Sequence, residues 1–306
     1  MTSFQKKEVG LMNFDNFIES SFTTSDGIEI NYGTNFNPED ADKRQVVVLN
    51  YGLVCNIAHW KEQIPFLDKS DFNVVYHDYR FHFKSGQTPN INDLSFKNIS
   101  NDMKELLDFL KIQSAFHLGH SMGVNTTLEF ARRNPDNVTG MVLISGTVLP
   151  PQDVLFDSNW MEIIQPILEL LLEKYPKLYE NIWKSGHLNP LATQLIHRGG
   201  FNTKNVPMQF VEYYLKKIGE LSPNVFFQLL KEMKNHDIVT RLETIKTPTL
   251  VMGGDKDQVI PNFLQNILCE QLPNSKMYVI KDGSHVPQVD FPETVNERIK
   301  IFIDSI

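Results

Sequence analysis

Ser121 stands in Gly119-His120-Ser121-Met122-Gly123, after the strand-like run Ser114 to Leu118 and before a helical pattern from Val124 to Arg133. Strand, sharp turn and helix in that order lift a serine hydroxyl clear of a sheet, and glycines two residues to either side remove side chains that would collide there. The chemistry such a serine suits is nucleophilic attack. Met122 opens the helix with a backbone N–H that has no intrahelical acceptor, aimed where charge develops on a substrate, which is half of an oxyanion hole.

A hydroxyl is a weak nucleophile at neutral pH and needs a histidine beside it, itself held by a carboxylate. Of nine histidines, His77 and His117 fall in strand-like runs and His120 in the turn. His285, in Gly283-Ser284-His285, sits instead in a loop between the last strand-like run (Met277 to Ile280) and a terminal helix (Glu293 to Ile303). From there it can reach across strand ends to Ser121; the competing reading is a capping or solvent-exposed loop histidine. For the acid, Gly253-Gly254-Asp255-Lys256-Asp257 offers two carboxylates. Asp257 is expected to be the partner, because Val259-Ile260-Pro261 follows and would bury and orient it. Asp255, nearer the strand, reads as a turn or capping residue.

These residues need elements to hold them. Gln45 to Asn50, Asn73 to His77, Ala115 to Leu118, Val138 to Ile144, Thr249 to Met252 and Lys276 to Ile280 are short β-branched or aromatic runs, each expected as a strand buried on both faces. Ser21 to Tyr32 precedes them as a hairpin turning at Asp26-Gly27. Helical patterns lie between, such as Ile99 to Lys111 with Met103, Leu106, Leu107 and Leu110 at helical spacing. The fold class is therefore α/β, a parallel sheet with helices on both faces. The alternation lapses over residues 148–247, which are mostly helix-like: Trp160 to Glu173, Lys177 to Lys184, Pro207 to Ile218 and Asn224 to Lys234, punctuated by Pro150-Pro151, Gly199-Gly200 and Pro223. Residues 1–147 and 248–306 thus form the core. The insertion reads as a helical cap over the serine, since ligands of open α/β sheets bind at the strands' carboxyl ends; extra helices packed on the core are the plainer reading.

Composition excludes several classes. A formal charge of −8 over 306 residues, with no basic cluster longer than Lys216-Lys217, argues against nucleic acid as a partner. Cys55 and Cys269 are the only cysteines and lack metal-ligand spacing, so neither disulfide scaffold nor zinc site is indicated, and a reducing compartment fits. No apolar run reaches about eighteen residues and Met1 to Gly10 lacks a signal-peptide pattern, so no transmembrane segment is expected and the default location is cytoplasmic.

The elbow Gly119 to Gly123, the acid loop Gly254 to Asp257 and Gly283-Ser284-His285, in that order, resemble the α/β-hydrolase fold superfamily, in its capped, esterase-like branch. Asp78-Tyr-Arg-Phe-His-Phe-Lys-Ser85 is similar to the family's D-x-R-G-x-G-x-S segment, and Ile245 to Leu250 to the stretch before its acid strand. The resemblance covers roughly residues 20 to 147 and 237 to 306. It implies a mostly parallel sheet of eight-stranded type, a Ser121, Asp257, His285 triad, and no metal or organic cofactor. Two departures stand out. Where the family has His-Gly after the third strand, this chain reads Asn50-Tyr51-Gly52-Leu53; the resemblance makes the backbone N–H of Leu53 the second oxyanion donor, with Tyr51 packing or hydrogen-bonding in the histidine's place. Phe81 and Phe83 replace two family glycines, which asks the turn to change shape and leaves them as aromatic walls of the pocket or as core filling.

The expected function is a serine hydrolase cleaving a carboxylic ester of a small or medium apolar substrate through an acyl-enzyme. Leu53, Met122, Val259 and Val286 beside the motifs favour an apolar acyl or alcohol group. Carbon–carbon bond hydrolysis and cofactor-free perhydrolysis would use the same triad, and a non-catalytic ligand-binding protein on this scaffold is the alternative from another class. Acyl chain length, leaving group and oligomeric state are not written in the sequence.

Overall fold

The computed structural model describes residues 17–149, 170 and 174–306; the leader before residue 17, Pro150-Pro151 and, apart from Leu170, the 160–173 helix lie outside the described residues. Eight strands form one sheet: β1 (Ile18–Thr23), β2 (Glu29–Thr34), β3 (Val46–Asn50), β4 (Asn73–His77), β5 (Ala115–His120), β6 (Val138–Ile144), β7 (Thr249–Gly254) and β8 (Ser275–Ile280). Their order across the sheet is β1-β2-β4-β3-β5-β6-β7-β8. β1 and β2 pair antiparallel, as does β2 with β4; every pairing from β4 to β8 is parallel. The hairpin turns at Gly27, whose φ of 85° suits a residue without a Cβ.

Helices follow the strands: α1 (Gln63–Lys69), α2 (Phe96–Phe109) and α3 (Met122–Arg133), then α4 (Pro176–Lys184), α5 (Pro190–Gly200), α6 (Met208–Glu220) and α7 (Pro223–Asn235) between β6 and β7, and finally α8 (Asn262–Gln271), the single turn α9 (Pro287–Asp290) and α10 (Pro292–Ile303). The strands' period of two splits the core. Val47 and Leu49 pack on one face with Ile64 and Leu67 of α1 and Val295 and Ile299 of α10. Val46 and Val48 pack on the other with Met103, Leu106 and Leu107 of α2 and Leu128 of α3. Parallel strands need such a crossover helix, and covering both faces is why their sequences read as continuous apolar runs.

Two expectations need correction. β8 is not buried on both faces: Lys276 and Val279 are exposed, because this strand closes the sheet's edge. α5 was not expected, since Gly199-Gly200 reads as a break; both glycines instead belong to its last turn.

One buried ion pair ties the first hairpin and α2 to the turn after β4. Arg80, 2% exposed, donates from Nε to Asp102 Oδ2 at 2.8 Å and from Nη2 to Asp102 Oδ1 at 2.5 Å, and also reaches Asp26 Oδ2 at 3.1 Å. The carboxylates beside it push the guanidinium pKa up. Removing one member of such a pair leaves the other charge buried without compensation. Arg80→Ala is expected to cost about 3–5 kcal/mol of stability, read as a lowered urea midpoint; an unchanged midpoint would contradict the pair's structural role.

Candidate active site

The parallel strands end together, which gathers distant loops onto one rim. Asn50 is level with Gly119, His120 with Ile144, Ile144 with Met252 and Gly254 with Ile280. Ser121 follows β5 directly, and its N–H still donates to Ile144 O at 2.9 Å. The serine then turns sharply, at φ 55° and ψ −122°, into α3. A left-handed φ on a non-glycine residue costs on the order of 1–3 kcal/mol and is held by surrounding structure. Both flanking glycines are demanded by contact: a Cβ on Gly119 would lie 2.6 Å from Gly123 O, and one on Gly123 would lie 2.3 Å from Asn50 O.

Three sequence-expected residues meet here. His285 Nε2 is 3.0 Å from Ser121 Oγ. On the other side of the ring, His285 Nδ1 is 3.0 Å from Asp257 Oδ2 and 3.2 Å from Oδ1. The Asp257 side chain is wholly buried, and its Oδ1 also accepts the N–H groups of Val259 at 2.9 Å and Ile260 at 2.8 Å. Those bonds fix the carboxylate's orientation. Asp255, the other candidate, is partly exposed beside Lys256.

The loop after β3 presses on the elbow, since a Cβ on Gly52 would lie 2.9 Å from Ser121 Cβ. Leu53 therefore enters beside the serine, while Met122 is the first residue of α3, where N–H groups lack intrahelical acceptors. Tyr51 is anchored reciprocally: its hydroxyl accepts from Tyr79 N–H at 3.0 Å, and the Tyr79 hydroxyl donates to Tyr51 O at 2.9 Å. Asn50 Nδ2 donates to Thr127 Oγ1 at 3.0 Å, stitching the same loop to α3. Phe81 and Phe83 adopt φ of 66° and 44°, so the turn takes the left-handed form at both positions instead of avoiding it. Both pack partly buried against the core and border a separate cavity near Tyr76 and Tyr213, away from Ser121.

A cavity of about 810 Å³ opens over the serine. Leu53, Val259 and Val286 line it as expected; the Met122 side chain does not, being fully buried in the core. Helices between β6 and β7 supply the facing wall, with Trp183, Ile196, Leu215 and Phe226 among its apolar residues. Sequence reading missed its polar members. The Cys55 thiol, pushed up to about 12 by burial, stays protonated and lies 3.6 Å from His59 Nε2. His120 is held well below the ordinary histidine pKa by burial and by its His285 and His59 neighbours, and its Nε2 lies 2.9 Å from His285 O. A carbonyl only accepts, so Nε2 carries the proton and His120 holds the His285 backbone. Among the described residues no group of three or more His, Cys, Asp or Glu is placed to hold a metal ion, and no helix is long and apolar enough to cross a membrane.

Sheet order and register define an open α/β architecture with its site at the strand ends. The chain belongs to the α/β hydrolase fold family, whose model matches residues 45–292. It is 27% identical over 269 residues, 87% of this chain and 92% of the relative, to a protein of Caulobacter sp. (strain K31) provisionally named carbamate hydrolase RutD. It is 26% identical over 287 residues, 92% of this chain and 99% of the relative, to the bifunctional esterase/perhydrolase DCH of Acinetobacter calcoaceticus. A thermophilic esterase from Thermogutta terrifontis has the same fold, with a TM-score of 0.74 at 21% identity over 94% of this chain and 98% of that one. The family and these relatives set the chain among hydrolases.

Proposed function

We propose that the chain is a serine esterase acting on carboxylic esters with an apolar acyl or alcohol part. The observation that carries this reading is the 3.0 Å approach of His285 Nε2 to Ser121 Oγ, with Asp257 on the far side of the ring. Ser121 Oγ attacks the ester carbonyl and its proton passes to His285 Nε2, while Asp257 fixes the tautomer and stabilises the imidazolium. The backbone N–H groups of Leu53 and Met122 receive the oxyanion. Collapse expels the alcohol, protonated from Nε2. Water, deprotonated by the same nitrogen, then attacks the acyl-enzyme and restores the serine.

The region 148–247 acts as the cap in this reading, since its described helices face the rim across an apolar cavity. The names of the relatives support an acyl-transfer class: the Acinetobacter calcoaceticus protein is called both esterase and perhydrolase. In the present reading hydrogen peroxide in place of water would release a peracid from the same acyl-enzyme. Two experiments test the proposal. A fluorophosphonate probe is expected to label the chain at Ser121; no labelling would favour a ligand-binding role. Across p-nitrophenyl esters from acetate to palmitate, kcat/KM is expected to rise about fourfold per methylene through the short acyl chains, the equivalent of about 0.8 kcal/mol per buried methylene, and to fall once the chain outgrows the cavity. A flat profile would overturn the assignment of this cavity to the acyl group.

A further inference from the structure

Asp290, the last residue of α9, is buried and has no part in the proton transfers above. Its two carboxylate oxygens face two different loops. Oδ2 accepts the N–H of Ser284, the residue before the base, at 2.7 Å. Oδ1 accepts the N–H of Asn202, just after α5, at 3.2 Å. Three more bonds lace the same two segments: Asn202 Nδ2 donates to Asp282 O at 2.9 Å, Asn205 Nδ2 to Asp290 O at 3.1 Å and Ser284 Oγ to Gly200 O at 3.2 Å. Gly200 and Phe201 also line the cavity over Ser121. One carboxylate thus braces the loop that carries His285 and the wall that meets the substrate.

We propose that Asp290 is a positioning residue which, through the Ser284 and Asn202 N–H groups, fixes the height of His285 over Ser121 and locks it in register with the pocket wall. The inference rests on His285 being the general base. A bond pattern of two acceptors facing two N–H donors is specific to a carboxylate, because an amide offers one acceptor and turns its N–H₂ toward the other donor. Displacing a catalytic group by about 1 Å costs up to about a hundredfold in rate.

Asp290→Asn is therefore expected to lower kcat for p-nitrophenyl butanoate by about ten- to a hundredfold, with KM within about threefold. The downfield proton resonance of the His285–Asp257 hydrogen bond should shift or broaden. Rates are normalised to folded protein, so a merely structural role would leave normalised kcat and the resonance unchanged, and that result overturns the proposal. Should Asp290→Asn fail to fold, Asp290→Glu keeps both acceptor oxygens but moves them by one methylene relative to the Ser284 and Asn202 N–H groups. It is expected to lose about tenfold in kcat per folded protein, given the cost of displaced geometry; wild-type kcat overturns the proposal. Full turnover by Ser121→Ala would sink the esterase reading itself, whereas an inactive Ser121→Ala beside a fully active Asp290→Asn would remove this inference alone.

Discussion

Ser121→Ala is expected to lower kcat/KM for p-nitrophenyl esters by about a million-fold, down to the residual catalysis that oxyanion donors and binding supply without a nucleophile. The fold should not suffer. Alanine and serine both carry a Cβ, so the left-handed φ of 55° costs either residue alike, and the hydrogen bond that Oγ loses is the one to His285 Nε2. Purified variant protein with an unchanged melting curve and ester turnover near the parent's would overturn the nucleophile assignment. Loss of fluorophosphonate labelling in the same variant is the companion expectation.

Asp257→Asn is the second large effect, and its sign follows from two backbone groups. The N–H groups of Val259 and Ile260 both point at Oδ1, so the asparagine amide settles with its oxygen there and its N–H₂ toward His285. That amide donates to Nδ1, which drives the ring proton onto Nε2, the atom 3.0 Å from Ser121 Oγ. A protonated Nε2 cannot take the serine's proton. The expected loss in kcat is about ten-thousandfold near neutral pH, as for the same change in a serine protease triad. Partial recovery at high pH, where hydroxide substitutes for the base, would agree with a tautomer fault. A loss of less than tenfold would show that the carboxylate does not control the ring.

Most of the sheet and the three residues at its rim were legible because each lies a few positions after an apolar run, and parallel strands bring their ends into line. Ser121, Asp257 and His285 needed only local pattern and chain order. The exposure of β8 was not legible, since an edge strand with Met277, Tyr278 and Val279 has the composition of a central one. α5 was hidden by Gly199-Gly200, whose low helix propensity is tolerated in a last turn. The left-handed backbone at Phe81 and Phe83 runs against what phenylalanine prefers, so only its surroundings can impose it. His120 holding the carbonyl of His285, and Asp290 holding Ser284 and Asn202, join positions with no local spacing between them.

Ser121 and His285 are 164 positions apart, and beyond the latter α10 still has to seat Val295, Ile299 and Ile303 against the sheet. A chain lacking α10 would therefore lose apolar cover from the sheet as well as the segment that follows the His285 loop.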